Sequence, residues 1–548
     1  MGRRIYKRNK KESLPSTSTL TSVSTPVTPQ DFFDHGSSEE ESGDRWLGSD
    51  IAKSLRFYQR AYTAYRKCIS LSSVPIPDAY YNSCRLALQV YLLFNDCGGL
   101  RRMIESRCGL QNIEEVVHAS DSIVMDLPQI LNLHLESLQV VKDQEGDLLF
   151  NTLVVYTEIM ESEAMQEEIH ENMVTCFKNA TTIFDKLVKK QVEELESFNS
   201  KLLSIDTAIN TAPSSSQQQQ QQEQQQQRQE EEELYESERV VQPVDLFETV
   251  ILGYRLVQAI YENTDKSYLE TTHSLTQCLS TMDEISRELI NKYSTQTCNR
   301  NEMLDNITSH QISELKIIRA SITGLTMMAN VQQVMEMWSN FFLQEVEVEI
   351  AEKYMVCSDN IQSYLEREDI SIEGLKNNDE QQLLWDALRF QNTQLKKAQE
   401  LLQETLAIKK RAPSGVELGI GSLIVQISEL MIARVDINLQ MSLLDLPIAA
   451  QNRKVLEQNV KNLLKSAIAL AGSQGGLRER QIEKFNRYQK RNEALFRLCL
   501  VNGETSLDKL DSVITREEWV LEVPVLQKLG YYSLFLKDIL DEMTSNDK

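Results

Sequence analysis

Residues 49–61 carry the clearest structural signal in this sequence and read Ser-Asp-Ile-Ala-Lys-Ser-Leu-Arg-Phe-Tyr-Gln-Arg-Ala. Ser54, Tyr58 and Ala61 follow one another at steps of four and three, so they share one face of an α-helix. Small side chains on that face let a second helix approach closely, and the tyrosine ring packs beside them. The stretch therefore predicts one member of a close-packed helix pair, with Tyr58 and Ala61 facing the partner helix.

Helical signals extend outward from this stretch over most of the chain. Residues 244–412 contain no proline, and apolar residues recur there every three or four positions, for example at Leu384, Leu388, Leu395, Ala398 and Leu402. Breaks rich in Gly, Pro or Asn fall at residues 96–99, 299–301, 413–415 and 472–476, as connections between helices require. Alternation typical of strands and bounded by turn dipeptides is missing. We therefore predict an all-α protein of about sixteen to twenty helices.

Three stretches resemble helices of the tetratricopeptide repeat (TPR). In that family a small residue, an aromatic residue four positions later and an alanine three further on pack the second helix of a repeat against the first, as at Ser54, Tyr58 and Ala61. Residues 78–87 resemble the start of a first helix, with Tyr80 in the family's tryptophan position, Asn82 two later and Cys84 in its small-residue position. Residues 147–156 resemble another first helix, with Tyr156 in the aromatic place.

The resemblance implies a solenoid of TPR-like helix-turn-helix pairs in two helical halves. It covers about 110 residues well, and no 34-residue period continues through the chain. We therefore predict a TPR-like helical domain at residues 46–212 and a second helical region, TPR-like or bundle, at residues 239–548. A generic α-helical bundle or solenoid is the alternative for the first of these regions.

Two segments lack the apolar residues needed for a core. Residues 1–45 contain the pairs Thr25-Pro26 and Thr28-Pro29, and an acidic run follows Ser37 and Ser38, so we expect a disordered tail. Those threonines and serines are candidate phosphate acceptors, and a plain solvated tail is the alternative. Residues 213–238 form a Gln/Glu-rich low-complexity linker, either an association segment or an expanded loop without a role.

The start of the tail carries a cluster of cations: Arg3, Arg4, Lys7, Arg8, Lys10 and Lys11. An extended basic segment can be bound by an acidic import receptor, so the cluster predicts a nuclear import signal. A phosphate-binding arm and a membrane-surface patch are the alternatives. The expected location is the nucleus, the cytoplasm or both.

The composition of the chain excludes several classes of function. The 548 residues include 57 basic and 81 acidic side chains, a net charge of −24, so direct nucleic-acid binding by the main body is not expected. The longest nearly apolar run, residues 86–94, is shorter than the roughly 20 residues that a membrane span needs. Nine cysteines without a Cys-x-x-Cys pair indicate ordinary thiols in a reducing compartment.

Motifs for catalysis, metals and cofactors are missing from the sequence. Its six histidines are dispersed, and the glycine-rich residues 415–422 carry no lysine, so we interpret them as tight helix packing. Glu345, Glu347 and Glu349 alternate with apolar residues, which alone favours a strand, but the run is short and lies inside a long helical pattern. We predict a helix there with a solvated acidic face. The chain is thus expected to be no enzyme and to hold no metal or cofactor.

The resemblance also implies a partner-binding groove lined by the first helix of each repeat. If Tyr80 takes the tryptophan position, the lining residues of that helix are Tyr81, Arg85 and Gln89. The corresponding residues of the later helix are Phe150, Val154 and Glu158. Asn82 and Asn151 match an asparagine frequent in the family, which we interpret as a helix-packing residue.

These observations lead to a functional hypothesis. We expect a non-enzymatic helical-repeat adaptor or dedicated chaperone that binds another protein, with no small-molecule substrate. A strongly acidic surface favours a basic partner, such as a nuclear or ribosomal client, although acidity also serves solubility. The alternative is a structural subunit of a nuclear transcription or chromatin assembly, with the glutamine run as its association element.

Overall fold

A computed structural model describes residues 26–95, 113–141, 146–162, 170–211, 241–263, 272–294, 304–326, 330–368, 370–372, 374–375, 377–412 and 418–546. These residues form α-helices and their connections, and no β-strand occurs among them apart from an isolated bridge between Ser294 and Ile307. The prediction of an all-α protein is confirmed. Consecutive helices pack against one another along much of the chain, which is compatible with a helical-repeat fold.

The helices are numbered in chain order. They are α1 (Pro29–Trp46), α2 (Ile51–Leu71), α3 (Pro77–Asn95), α4 (Glu114–Val117), α5 (Leu127–Val140), α6 (Gly146–Glu161), α7 (His170–Thr211), α8 (Pro243–Asn263), α9 (Thr272–Tyr293), α10 (Ser309–Thr326), α11 (Val331–Met337), α12 (Ala351–Arg367), α13 (Asn378–Arg411), α14 (Ile420–Leu443), α15 (Pro447–Ala471), α16 (Gln481–Val501), α17 (Leu507–Val513), α18 (Arg516–Lys528) and α19 (Ser533–Asn546).

The chain divides into two compact units. The first takes in Leu131–Arg319, and its core is built on α6 and α8, which pack against each other and against α7. Both α6 and α8 are buried on nearly all sides, as helices with few charges must be. The second unit joins Asn9–Ile130 to Ala320–Lys548. The predicted division at residues 46–212 and 239–548 stays a prediction, and its linker at 213–238 lies outside the described residues.

Helices α12 to α16 form the largest core of the second unit, each packed against the next. The predicted apolar stripe of α13 faces this core, where Leu384, Leu388, Leu395, Ala398 and Leu402 are all buried. The glycine-rich residues 415–422 also behave as predicted where they are described. A methyl group on Gly421 would lie 2.8 Å from Cβ of Glu483, so α14 and α16 are packed too closely there for a side chain.

One predicted disordered segment is helical. Residues 29–46 form α1, so the prediction of a tail up to residue 45 is wrong for this part. The Thr28 hydroxyl caps the helix by accepting a hydrogen bond from the backbone amide of Asp31, and the backbone amide of Thr28 donates to the Asp31 carboxylate, while Pro29 occupies the first turn. The helix then packs along α2, which supplies most of the contact surface.

Glycine and tyrosine residues fix the packing of α1 on α2. Gly36 lies against the ring of Tyr65 and Gly43 against the ring of Tyr58. From the first contact to the second, the residue number rises by seven along α1 and falls by seven along α2. The two helices are therefore antiparallel. Ser54, Tyr58 and Ala61 are completely buried, and the Ser54 hydroxyl donates to the Gly43 carbonyl at 2.8 Å. The prediction that Tyr58 and Ala61 face a partner helix is confirmed, and α1 is that helix.

A second prediction fails at residues 346–350. These residues are not helical: Val346 and Ile350 have extended backbone angles, and the chain bends at Val348. Before them, residues 338–342 form a π-helical turn that continues α11, and Leu343–Glu345 add a short α-helical turn. The buried Trp338 stabilises this turn because its indole N–H donates to Oδ1 of Asn360 at 2.8 Å.

The α1–α2 connection is bonded to the start of α16, far along the chain. The amide of Gln481 donates to the carbonyl of Gly48 at 3.1 Å, and the amide of Ile51 donates to the side-chain oxygen of Gln481 at 2.8 Å. These two bonds satisfy backbone groups at helix starts that would otherwise need water. They connect N-terminal and C-terminal residues of the second unit.

Candidate partner-binding site

The groove residues predicted on α3 do not form an open surface. Tyr81, Arg85 and Gln89 are all buried, and Arg85 is only 4% exposed. Its guanidinium donates to Oε1 of Glu40 at 2.5 Å and to Oε1 of Gln89 at 3.0 Å. Glu40 of α1 thus pairs with Arg85, and the groove prediction is wrong for these three residues because they are buried within the chain.

The groove residues predicted on α6 are also buried. Phe150, Val154 and Glu158 lie in the core of the first unit, where α6 packs against α7 and α8. They contribute to the packing of these helices and offer no accessible surface. The six cations of the predicted import signal lie outside the described residues, so that signal stays a prediction.

The interface between α1 and α2 carries a network of buried polar groups. The Tyr58 hydroxyl donates to Oδ1 of Asp44 at 2.7 Å, and the Tyr65 hydroxyl donates to Oε2 of Glu40 at 3.0 Å. Burial, reinforced by these carboxylates, raises the pKa of both phenols well above the usual tyrosine value. Both phenols are therefore neutral hydrogen-bond donors at physiological pH, which suits the fastening of α1 rather than proton transfer.

Arg85 is the cation of this network. Burial disfavours its charge, but the charge and hydrogen bonds of Glu40 outweigh burial and raise its pKa. The pair is thus a buried ion pair whose members each depend on the other. It links α1 to α3, while the tyrosines link α1 to α2.

An accessible candidate site lies at the π-helical turn of the second unit. A π-helical turn accommodates an additional residue, which rotates the following side chains relative to an α-helix, and such turns often occur at functional sites. Here Trp338 faces the core and packs edge-to-face on Phe342, with ring centroids 5.3 Å apart. Phe341 points away from the core and is 64% exposed.

Acidic side chains follow Phe341 closely. Glu345, Glu347 and Glu349 are exposed, Val348 is partly exposed between them, and Val346 is buried. We call Phe341, Glu345, Glu347, Val348 and Glu349 the Phe341 surface. It combines one exposed aromatic ring, one aliphatic side chain and three carboxylates on nine consecutive residues.

A buried lysine holds this surface in place. The Lys353 ammonium is almost inaccessible to solvent and donates to Oε1 of Glu349 at 2.8 Å and to the carbonyl of Val346 at 3.2 Å. The Tyr354 hydroxyl donates to the other oxygen of Glu349 at 2.9 Å. The Lys353 bond, assisted by Tyr354, lowers the pKa of Glu349, and burial together with Glu349 raises the pKa of Tyr354 to about 12.

These contacts determine what the Phe341 surface can bind. An exposed aromatic ring loses unfavourable contact with water when a partner covers it, and neighbouring carboxylates attract lysine and arginine side chains. The described residues contain no group of His, Cys, Asp and Glu that could hold a metal ion. No described helix is long and apolar enough to cross a membrane.

Sequence reasoning missed Phe341 for an identifiable reason. Residues 338–342 read Trp-Ser-Asn-Phe-Phe, and adjacent side chains of an α-helix point about 100° apart, so on a helix with a single buried face one of the two phenylalanines is directed away from the core. The sequence does not show which one. The period-two alternation correctly indicated non-helical backbone over residues 346–350, but the longer helical pattern around it favoured a helix.

Comparisons with known proteins give a relative and a domain match. Over 523 residues the chain is 23% identical to the uncharacterized protein YNL193W of Saccharomyces cerevisiae, covering 87% of this chain and 90% of the yeast protein. Residues 357–527, from α12 to α18, match a family model described as the YNL193W C-terminal domain. No solved structure matches the chain.

Proposed function

We propose that this chain is a non-enzymatic helical-repeat adaptor or dedicated chaperone that binds a basic protein through the Phe341 surface. The observation that supports the proposal is the exposure of Phe341 beside Glu347 and Glu349 on a rigidly held turn. Trp338, Asn360 and Lys353 hold the turn from inside, so little ordering is needed when a partner binds.

The chemistry of the surface favours a basic partner with an apolar residue. An aromatic residue at the centre of an interface contributes much of the affinity, whereas the surrounding charges mainly govern the rate and selectivity of association. The net charge of −24 acts in the same direction over longer distances. A basic nuclear or ribosomal client fits this description, and location in the nucleus, the cytoplasm or both is part of the proposal.

Affinity purification of the tagged full chain, followed by mass spectrometry, tests the proposal. Phe341→Ser should weaken retention of the partner by about 30-fold, since loss of a central aromatic contact costs about 2 kcal/mol. Leu477→Ser is the matched control, because Leu477 is another exposed apolar side chain of the same unit. Both variants should keep wild-type stability.

A charge reversal separates electrostatic attraction from apolar contact. Glu347→Lys should weaken binding most at low salt, whereas Glu404→Lys, the same change on the exposed side of α13, should have little effect. Equal retention by wild type, Phe341→Ser and Glu347→Lys would contradict the proposed site. Stoichiometric co-purification with several proteins at high salt would instead favour a structural subunit of a nuclear transcription or chromatin assembly.

A further inference from the structure

Helix α1 is held by an unusual set of contacts. Gly36 and Gly43 are its only buried residues within Pro29–Trp46, and neither has a side chain to bury. Phe33 packs on Tyr65, with ring centroids 5.8 Å apart, and the anchoring bonds are polar: Glu40 accepts from Arg85 and Tyr65, and Asp44 accepts from Tyr58. Because α1 buries none of its own side chains completely and its anchoring bonds are polar, a charge introduced at this interface is expected to open α1 locally while the rest of the unit stays folded.

Ser37 lies inside this attachment, and its neighbour Ser38 does not. The Oγ atom of Ser37 is 3.4 Å from the hydroxyl oxygen of Tyr65, the same hydroxyl that contacts Glu40. Ser38 is exposed to solvent on the other side of the helix. Acidic residues follow both serines at Glu39, Glu40 and Glu41, the pattern that acid-directed kinases bind with basic side chains.

We propose that Ser37 is a phosphorylation site and that its phosphate releases α1 from α2 and α3. A protein kinase would transfer the γ-phosphoryl group of ATP to Oγ of Ser37. A new O–P bond forms, the bond from the γ-phosphorus to the bridging oxygen breaks, ADP leaves, and the serine proton passes to the kinase base. Local opening of α1 gives the kinase access, and the phosphate then prevents the helix from returning.

Charge and space both oppose the return of a phosphorylated α1. The phosphate would add a charge of about −2 beside Glu40, with Glu39 and Asp44 on the same helix. The cations at this position, Arg85 and Arg60, are already paired with Glu40 and Glu39. A methyl group on the neighbouring Gly36 would lie 2.7 Å from the Tyr65 ring, so α1 and α2 are tightly packed beside Ser37.

Release would change the accessible surface of the second unit. Tyr58 and Tyr65 of α2 and Arg85 of α3, which α1 now contacts, would become more accessible. Arg85 is one of the predicted groove residues. Phosphorylation would thus convert a closed helix pair into an open surface, independently of the Phe341 surface.

The test compares three forms of the full chain: unmodified, with phosphoserine incorporated at position 37, and with phosphoserine incorporated at position 38. Hydrogen exchange is measured by mass spectrometry on peptides from α1. Phosphoserine at 37 should speed exchange of the α1 amides by about tenfold or more, and phosphoserine at 38 should change it by less than about threefold. Unchanged or slower exchange at 37 would overturn the proposal, because it would mean that Arg85 accommodates the phosphate.

A second measurement tests the modification itself. The unmodified full chain is incubated with an acid-directed serine kinase and Mg-ATP, and the phosphorylated residues are located by mass spectrometry. Phosphate is expected on Ser37, and it should appear faster in a Gly43→Ala variant, whose α1 opens more often. Phosphate on Ser38 with none on Ser37 in either protein would overturn the assignment of the site.

Discussion

Replacing Gly43 with alanine should loosen α1, although alanine is the better helix former. A methyl group at this position would lie 2.5 Å from two ring carbons of Tyr58, whereas carbon atoms in favourable contact are about 3.5–4.0 Å apart. The Tyr58 ring is fully buried and its hydroxyl is bonded to Asp44, so the ring cannot rotate away without losing that bond. The two helices must therefore separate by about 1 Å.

The separation affects two hydrogen bonds. The Ser54 hydroxyl donates to the Gly43 carbonyl at 2.8 Å, and a separation about 1 Å greater breaks this bond. The loss of this acceptor for a buried hydroxyl costs about 1–3 kcal/mol. Strain and the stretched Tyr58–Asp44 bond add about 1 kcal/mol. Alanine returns about 1 kcal/mol through helix propensity. The net loss is about 2 kcal/mol, equivalent to about 30-fold more frequent opening of α1.

Hydrogen exchange of the α1 amides measures this opening directly. Gly146→Ala is the control, because a methyl group on Gly146, also in a helix, would contact nothing within 4 Å. We expect about 30-fold faster exchange in α1 for Gly43→Ala and unchanged α1 exchange for Gly146→Ala. Unchanged or slower exchange in the Gly43→Ala variant would refute the claim that glycine is required by close packing.

Two further predictions concern the polar attachment of α1. Glu40→Gln leaves Arg85 buried without its anion and should lower the unfolding free energy by about 2–4 kcal/mol in a urea titration. A Glu40→Gln/Arg85→Met double variant should recover most of that loss, and additive losses in the double variant would contradict a buried ion pair. Because the pKa values of Tyr58 and Tyr65 are raised, their contribution to stability is present below the ordinary tyrosine pKa of about 10 and is lost as pH rises above it. The urea midpoint should therefore fall between pH 8 and pH 10.5 by more in wild type than in Tyr58→Phe/Tyr65→Phe, and equal falls would contradict this cause.

The sequence predicted those parts of the fold in which the spacing of apolar side chains indicates which residues are buried. Leu384, Leu388, Leu395 and Leu402 repeat at helical spacing because they all face one core, and that period is visible without the rest of the chain. Ser54, Tyr58 and Ala61 indicated a close-packed partner for α2 in the same way. The candidate binding site was much less predictable, since exposure of Phe341 depends on which of two adjacent rings a π-helical turn directs outward.

The all-α class, the helical periodicity of the core and the close-packed face of α2 could be predicted from the residues alone. The helix at residues 29–46 and the non-helical backbone at residues 346–350 depend on contacts with distant parts of the chain. The buried residues of α1 are Gly36 and Gly43, which have no side chains and so produce no hydrophobic period. Taken alone, glycine favours a loop at these positions, but the close packing of Tyr58 and Tyr65 of α2 requires it. In the acidic segment, the Lys353 ammonium of the following helix donates to the Val346 carbonyl and to the Glu349 carboxylate. The bond to Val346 satisfies a backbone carbonyl outside a helix, and the local sequence pattern does not reveal this contact.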